Sequence, residues 1–196
     1  MKLKNIFIYC KLSLFQTVLF VIVYGITNYL SQHHLYSLKL HAQWELNIPL
    51  IPEFILIYFS LNLLTILPAF MMDEKSLYQL NRAMTFCVLI AGTIFLILPA
   101  PSGFNRQIPI GPFAEMFRKL HSVDFNGNTF PSLHITFAYL FSRFLVQLHP
   151  KLKYFFVIWF ILISASVVFT HQHHLIDIVG GIFLAEIAMR RYYAEA

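Results

Sequence analysis

Six long apolar runs constrain this chain more than any other feature. They cover residues 12–30, 52–71, 83–99, 132–148, 154–169 and 175–189, with polar loops between them. Crossing the hydrocarbon of a bilayer takes about 20 apolar residues in a helix. A chain in that solvent must satisfy its own backbone groups, so only helices or a closed barrel can span it. The period-two alternation of a membrane barrel is absent. The expectation is an all-α integral membrane protein, a six-transmembrane-helix bundle forming a single membrane domain over residues 1–196. Only 12% of the residues are charged and 58% are hydrophobic, against about 25% charged in soluble domains. The net charge of +5 is therefore read as topology and headgroup contact, and no nucleic-acid partner is expected. Lys2 and Lys4 precede the first run as in a signal peptide. That run is too long for one and no small-residue cleavage site follows, so it is expected to stay as the first span.

Charge also orients the bundle. With the N-terminus in the cytoplasm, ten Lys and Arg face inward and four face outward (Lys39, Arg106, Arg118 and Lys119), as the positive-inside rule requires. This predicts a multi-pass protein of the plasma (inner) membrane with both termini cytoplasmic. Two outer loops stand out. Residues 31–51 carry His33, His34 and His41, expected to be solvated. Residues 100–130 begin after a helix-stopping Pro99-Ala100-Pro101-Ser102-Gly103. Behind Pro112, the residues Phe113, Met116, Phe117 and Leu120 have i, i+3, i+4, i+7 spacing. They predict a short interfacial helix on the membrane surface between the third and fourth spans, with Arg118 and Lys119 off its apolar face. A turn is expected around Asn126-Gly127.

Titratable groups gather beside the apolar runs at two places, Phe130-Pro131-Ser132-Leu133-His134 and Thr170-His171-Gln172-His173-His174-Leu175-Ile176-Asp177. Polar groups next to spans are costly and mark functional sites. His134 opens the fourth span and His173 precedes the sixth, so parity puts both at one membrane face, the outer one on this topology. His173 and Asp177 are i, i+4 and share a helix face. A carboxylate there fixes the imidazole tautomer and leaves the other nitrogen free to attack. Ser132 at a helix start offers a hydroxyl cap and a ready anion site beside His134, which can act as acid and base. Plainer roles compete. His173 with Asp177 can be a structural pair. His134, His171, His173 or His174 with Asp177 can ligate zinc. Ser166 can be a packing hydroxyl and Arg106 a snorkelling cation. Gly180-Gly181 suits close helix packing.

Together the two stretches resemble the type 2 phosphatidic acid phosphatase superfamily of membrane phosphatases and lipid phosphotransferases. Its Pro-Ser-x-His pattern is matched by Pro131, Ser132 and His134. Its Ser, His seven later and Asp four later are matched by Ser166, His173 and Asp177. The resemblance spans a core of about 79–184 and implies His173 as nucleophile, forming a phosphohistidine oriented by Asp177. His134 would protonate the leaving oxygen and then activate water or a second alcohol. Ser132, Arg106, His171 and Ser166 would bind the phosphate, with no metal and no other cofactor. Two of the family's cations are missing. Gln107 follows Arg106, Pro99 stands where a Lys belongs, and Val167 stands where an Arg often follows the Ser. His171 takes the place of a Lys found in relatives resembling inositol phosphorylceramide synthases. That suggests this branch, and activity favoured at mildly acidic pH, where His171 is protonated. The implied function is hydrolysis of a lipid phosphomonoester or pyrophosphate, the substrate being a phospholipid, polyprenyl or sphingolipid phosphate. The alternatives are headgroup transfer to an alcohol and a non-catalytic lipid-phosphate binder or transporter.

Overall fold

The computed structural model describes residues 2–31, 36–123 and 127–193. His33, His34 and Asn126 of the expected loops lie outside them. The described residues form helices and turns, with one isolated bridge between Ala100 and Asn128. In chain order the helices are α1 (Lys2–Ser31), α2 (Phe54–Phe59), α3 (Leu61–Ile66), α4 (Pro68–Met71), α5 (Glu74–Ile97), α6 (Ala114–Val123), α7 (Leu133–Leu148), α8 (Lys153–Phe169) and α9 (Leu175–Tyr192). Short 3-10 turns at Gln43–Asn47 and Pro150–Leu152 sit between them.

Four stretches among the described residues are long and apolar enough to cross a membrane: Leu3–Ser31, Phe54–Met71, Glu74–Ile97 and Pro150–Phe169. The other two expected spans are different objects. Helix α7 is apolar but has 16 residues, about 24 Å of rise. Helix α9 has 18 residues and carries Asp177, Glu186, Arg190 and Arg191. The second run is not one continuous helix. It breaks at Ser60 and again before Pro68, where a proline supplies no N–H to the preceding turn. The third run begins earlier than its apolar stretch, because the Asp73 side chain accepts the Ser76 N–H at 2.8 Å and caps α5 at Glu74.

Helix α7 is the axis of the packing. It contacts α9, α8, α5, α3 and α4, while α1 runs mainly along α5. Phe141 and Phe144 of α7, Phe95 of α5 and Phe156 of α8 are fully buried in one core. Helix α6 forms where the apolar spacing placed it, and its apolar face packs on protein. Phe117 and Leu120 are buried, and Phe113 and Met116 pack against the same core. The apolar stripe therefore meets protein, and Arg118 pairs with Glu115 at 2.8 Å on the exposed side.

Hydrogen bonds show which ends of the helices come together. At one end, Asn128 Nδ2 donates to Thr27 Oγ1 (2.7 Å), Thr129 N to Ala100 O (3.2 Å), Ile51 N to Phe169 O (2.9 Å) and Gly103 N to His174 Nε2 (3.0 Å). At the opposite end, Lys4 pairs with Glu74 at 2.7 Å and His149 Nε2 reaches Met71 O at 2.8 Å. The first end therefore gathers the close of α1, α5 and α8 and the start of α2, α7 and α9.

Candidate active site

Two helix starts meet at that gathered end. Ser132 is the N-cap of α7, and its Oγ accepts the Ile135 N–H at 3.3 Å. Its own N–H donates to Asp177 O at 3.1 Å. The Thr136 hydroxyl reaches Ser132 O at 2.9 Å and Gly181 O at 3.1 Å. This close approach depends on Gly181, where a Cβ would stand 2.7 Å from Ser132 O. The two stretches, about forty residues apart in sequence, are thus joined backbone to backbone.

The turn that carries His173 is made by the end of α8. His171 N donates to Val168 O and Gln172 N to Val167 O, both at 2.9 Å, with His171 at φ +58°. These are the two bonds of a Schellman motif, with a histidine at the left-handed position that glycine usually fills. His173 N adds a bond to Val167 O at 3.0 Å. The reversal is tight enough to place His173 beside the start of α9, with Nδ1 3.4 Å from Asp177 Oδ2. The same oxygen accepts the His174 N–H at 2.9 Å. Asp177 is 1% exposed and His173 12%. The carboxylate therefore addresses Nδ1 and leaves Nε2 as the nitrogen available for chemistry.

His134 and His173 line one cavity of about 620 Å³ between α1, the α2–α3 segment and α7. The His134 ring stacks on Tyr58 (4.1 Å, 19°), and its Nε2 is buried with no hydrogen-bond partner. The rest of the wall is mostly apolar, including Phe20, Leu61, Phe95 and Phe137. Among its lining residues there is no Lys, Arg, Asp or Glu.

The other expected site residues are placed differently. Ser166 is fully buried and its hydroxyl donates to Ile163 O at 2.7 Å, so its proton is committed to its own helix. His171 donates Nε2–H to Ile48 O at 2.9 Å. Burial holds its pKa below the ordinary histidine value, against the opposing pull of that carbonyl. Both act on the charge that a phosphate-binding role would require, burial against it and the carbonyl in its favour. Arg106 is half-buried in the loop after α5, two residues beyond Phe104.

A second cluster, missed in the sequence, lies behind His173. The rings of His171, Phe104, His174 and His41 form a column, with centroid distances of 4.2, 4.3 and 4.4 Å and interplanar angles of 5°, 10° and 21°. His41 is therefore a packed ring, not a solvated one. Glu45, 3% exposed, accepts the Ala42 and Leu175 N–H groups, both at 2.8 Å, and its Oε2 lies 3.3 Å from His174 Nδ1. Gly103 N–H donates to His174 Nε2, so the neutral ring carries its proton on Nδ1, facing Glu45. Burial lowers the His174 pKa, with His41 adding to the effect and Asp177 and Glu45 opposing it. The single signal for this cluster was a carboxylate, Glu45, in a loop of histidines.

Among known protein families, residues 29–190 match the PAP2 superfamily. No curated protein and no solved structure matches the chain.

Proposed function

The chain belongs to the PAP2 superfamily, and from that premise we propose that it is a membrane phosphatase acting on a lipid phosphomonoester through a phosphohistidine on His173. The observation that carries the proposal is the pairing of two histidines, one backed by a carboxylate, at a largely apolar cavity with room for part of a lipid. His173 Nε2 attacks phosphorus while Asp177 holds the Nδ1 proton and balances the charge that grows on the ring. Protonated His134 gives its proton to the departing alkoxide. The neutral ring then takes a proton from water, whose oxygen attacks the phosphohistidine and releases phosphate. Ser132 and the positive end of α7 stabilise the phosphoryl oxygens, with Arg106 as the proposed cation from the loop. The lack of Lys and Arg among the described residues that line the cavity favours a monoester over a pyrophosphate, which carries more charge.

The finer topology belongs to the same proposal. Helices α1, α2–α4, α5, α7, α8 and α9 would make six crossings, with both termini cytoplasmic and the histidines at the outer face of the plasma (inner) membrane. The short α7 suits a span whose outer end is sunk below the headgroups at the site. Transfer to an alcohol in place of water uses the same intermediate. The His171 position leaves the branch resembling inositol phosphorylceramide synthases as a proposal. The test is purified protein offered dioleoyl phosphatidate with and without chelator. Phosphate release that persists with chelator, together with an acid-labile phosphoryl label lost in His173→Ala, is the expected outcome. Release that is unchanged in His173→Ala rules this mechanism out.

A further inference from the structure

The cavity that holds His134 and His173 has a second polar feature. Asn28, near the end of α1, and Asn128, in the loop before α7, both line it. They are 2% and 4% exposed. Neither Nδ2 nor Oδ1 of Asn28 has a hydrogen-bond partner, and neither has Oδ1 of Asn128. The orientation of the Asn128 amide is settled by Thr27. The Thr27 hydroxyl donates to Tyr24 O, so its oxygen accepts from Asn128 Nδ2 at 2.7 Å and Oδ1 is left over. A buried amide atom without a partner costs about 1–3 kcal/mol. Three of them, on two side chains in one cavity wall, are best explained by a group that enters to satisfy them.

The chemistry of that group can be read from what is unsatisfied. Two carbonyl oxygens need donors and one amide nitrogen needs an acceptor. A hydroxyl donates its one proton to one of the oxygens and accepts from the nitrogen, and a second hydroxyl would meet the other oxygen. An ester supplies acceptors alone and would leave both oxygens unmet. Beside the two amides a charged group is disfavoured, because the described residues that line the cavity include no Lys, Arg, Asp or Glu to balance it and the phosphate is placed at the histidines. We propose that Asn28 and Asn128 form a subsite for a neutral hydroxyl group, carried either by the lipid phosphate itself or by an alcohol that receives the phosphoryl group. This rests on the lipid-phosphatase reading for its setting, and it identifies the substrate class: a hydroxyl-bearing lipid phosphate, or a lipid phosphate with an alcohol acceptor.

The test uses two probes that differ in one hydrogen-bond donor: 1-oleoyl-glycerol 3-phosphate, with a free 2-hydroxyl, and its 2-O-methyl ether. Binding is measured on the detergent-purified His173→Ala protein, which separates it from turnover. If the lipid carries the group, the free hydroxyl binds roughly 3–10-fold tighter, and adding Asn28→Leu abolishes the difference. If an acceptor carries it, both probes bind alike. Wild-type protein turning over the methyl ether then converts added glycerol to glycerol phosphate, and Asn28→Leu lowers the ratio of transfer to hydrolysis. Equal binding with no glycerol phosphate overturns the subsite, and the wild-type and His173→Ala measurements decide this even if Asn28→Leu fails to fold. A binding preference with no phosphate release by the wild type keeps the subsite and removes the phosphatase reading instead.

Discussion

His173 and His174 are neighbours, and one carboxylate oxygen of Asp177 faces the ring of the first and the backbone N–H of the second. Their surroundings have little else in common. The His173 ring opens onto the large cavity. The His174 ring lies in a column between Phe104 and His41, with Gly103 at one nitrogen and Glu45 near the other. One region keeps a nitrogen accessible. The other occupies its ring on both faces and ties three loops together. A single turn thus projects adjacent copies of the same residue type into an open cavity and into a packed column, and under the proposed function this divides chemistry from scaffolding.

The comparison breaks most sharply at the reacting groups. His134→Asn should lower phosphate release by roughly 10²–10⁴-fold, and a rapid-quench assay should show slow formation of the phosphoryl-enzyme. Asp177→Asn should cost a similar factor, since an amide can present its N–H to Nδ1 and favour the wrong tautomer. His174→Phe keeps the stacked ring and should leave the rate within about tenfold, roughly 1.4 kcal/mol of barrier. A loss in His174→Phe equal to that in Asp177→Asn would erase the division of labour.

The next effect concerns the joint between α7 and α9. In Gly181→Ala the new Cβ meets backbone, Ser132 O at 2.7 Å, and the helices must part. Overpacking of this kind costs about 1–3 kcal/mol and should show as a lower melting temperature with reduced activity. In Gly180→Ala the clash is with the Phe130 ring edge at 2.5 Å. A side chain can turn away, so that variant should be milder. The reverse order would contradict the contact seen between the two helix starts.

Smaller effects come from the column. His171 and His174 have pKa values held below the ordinary 6.5. The unfolded chain therefore takes up protons at these positions before the folded one does. Their contribution is full above about pH 6.5 and is lost as pH falls toward the lowered folded values. Protonating His174 also sets an N–H against the Gly103 N–H. Thermal unfolding at pH 7.5 and 5.5 should show lower stability at the acid end, with a shallower dependence in His174→Phe. The smallest expected change is in the pH profile of His171→Lys. With His171 donating to Ile48 O, Lys should weaken the loop contact without extending activity to higher pH. An alkaline extension would return His171 to the role of phosphate cation.

How much was legible in sequence depended on the range of the interaction involved. Apolar runs report local burial, so helices and membrane-length segments could be read directly, and the 113–120 spacing located α6. The i, i+4 spacing of His173 and Asp177 is local too and predicted that they meet, but on a shared helix face; His173 instead lies in the turn before α9, and the bonds of that turn to Val167 and Val168 bring it to Asp177. The loop from 98 to 113 has no such period. Phe104 stacks on residues about seventy positions away, and Asn28 meets the cavity beside Asn128 a hundred positions on. Neither asparagine stands out in the sequence, because nothing local links the two.

The sequence by itself determined an all-helical chain with membrane-length apolar helices, and PAP2 superfamily membership. The first follows from periodicity within a few turns of chain, the second from the likeness of residues 29–190 to that family. Only the tertiary structure decided that α6 faces protein, that Ser166 and His171 donate to backbone carbonyls, and that His174 is a scaffold ring beside a cavity-facing His173. Those outcomes depend on which loops close over which helix ends. That is set by packing among distant segments, where the energy of a contact has no counterpart in local spacing.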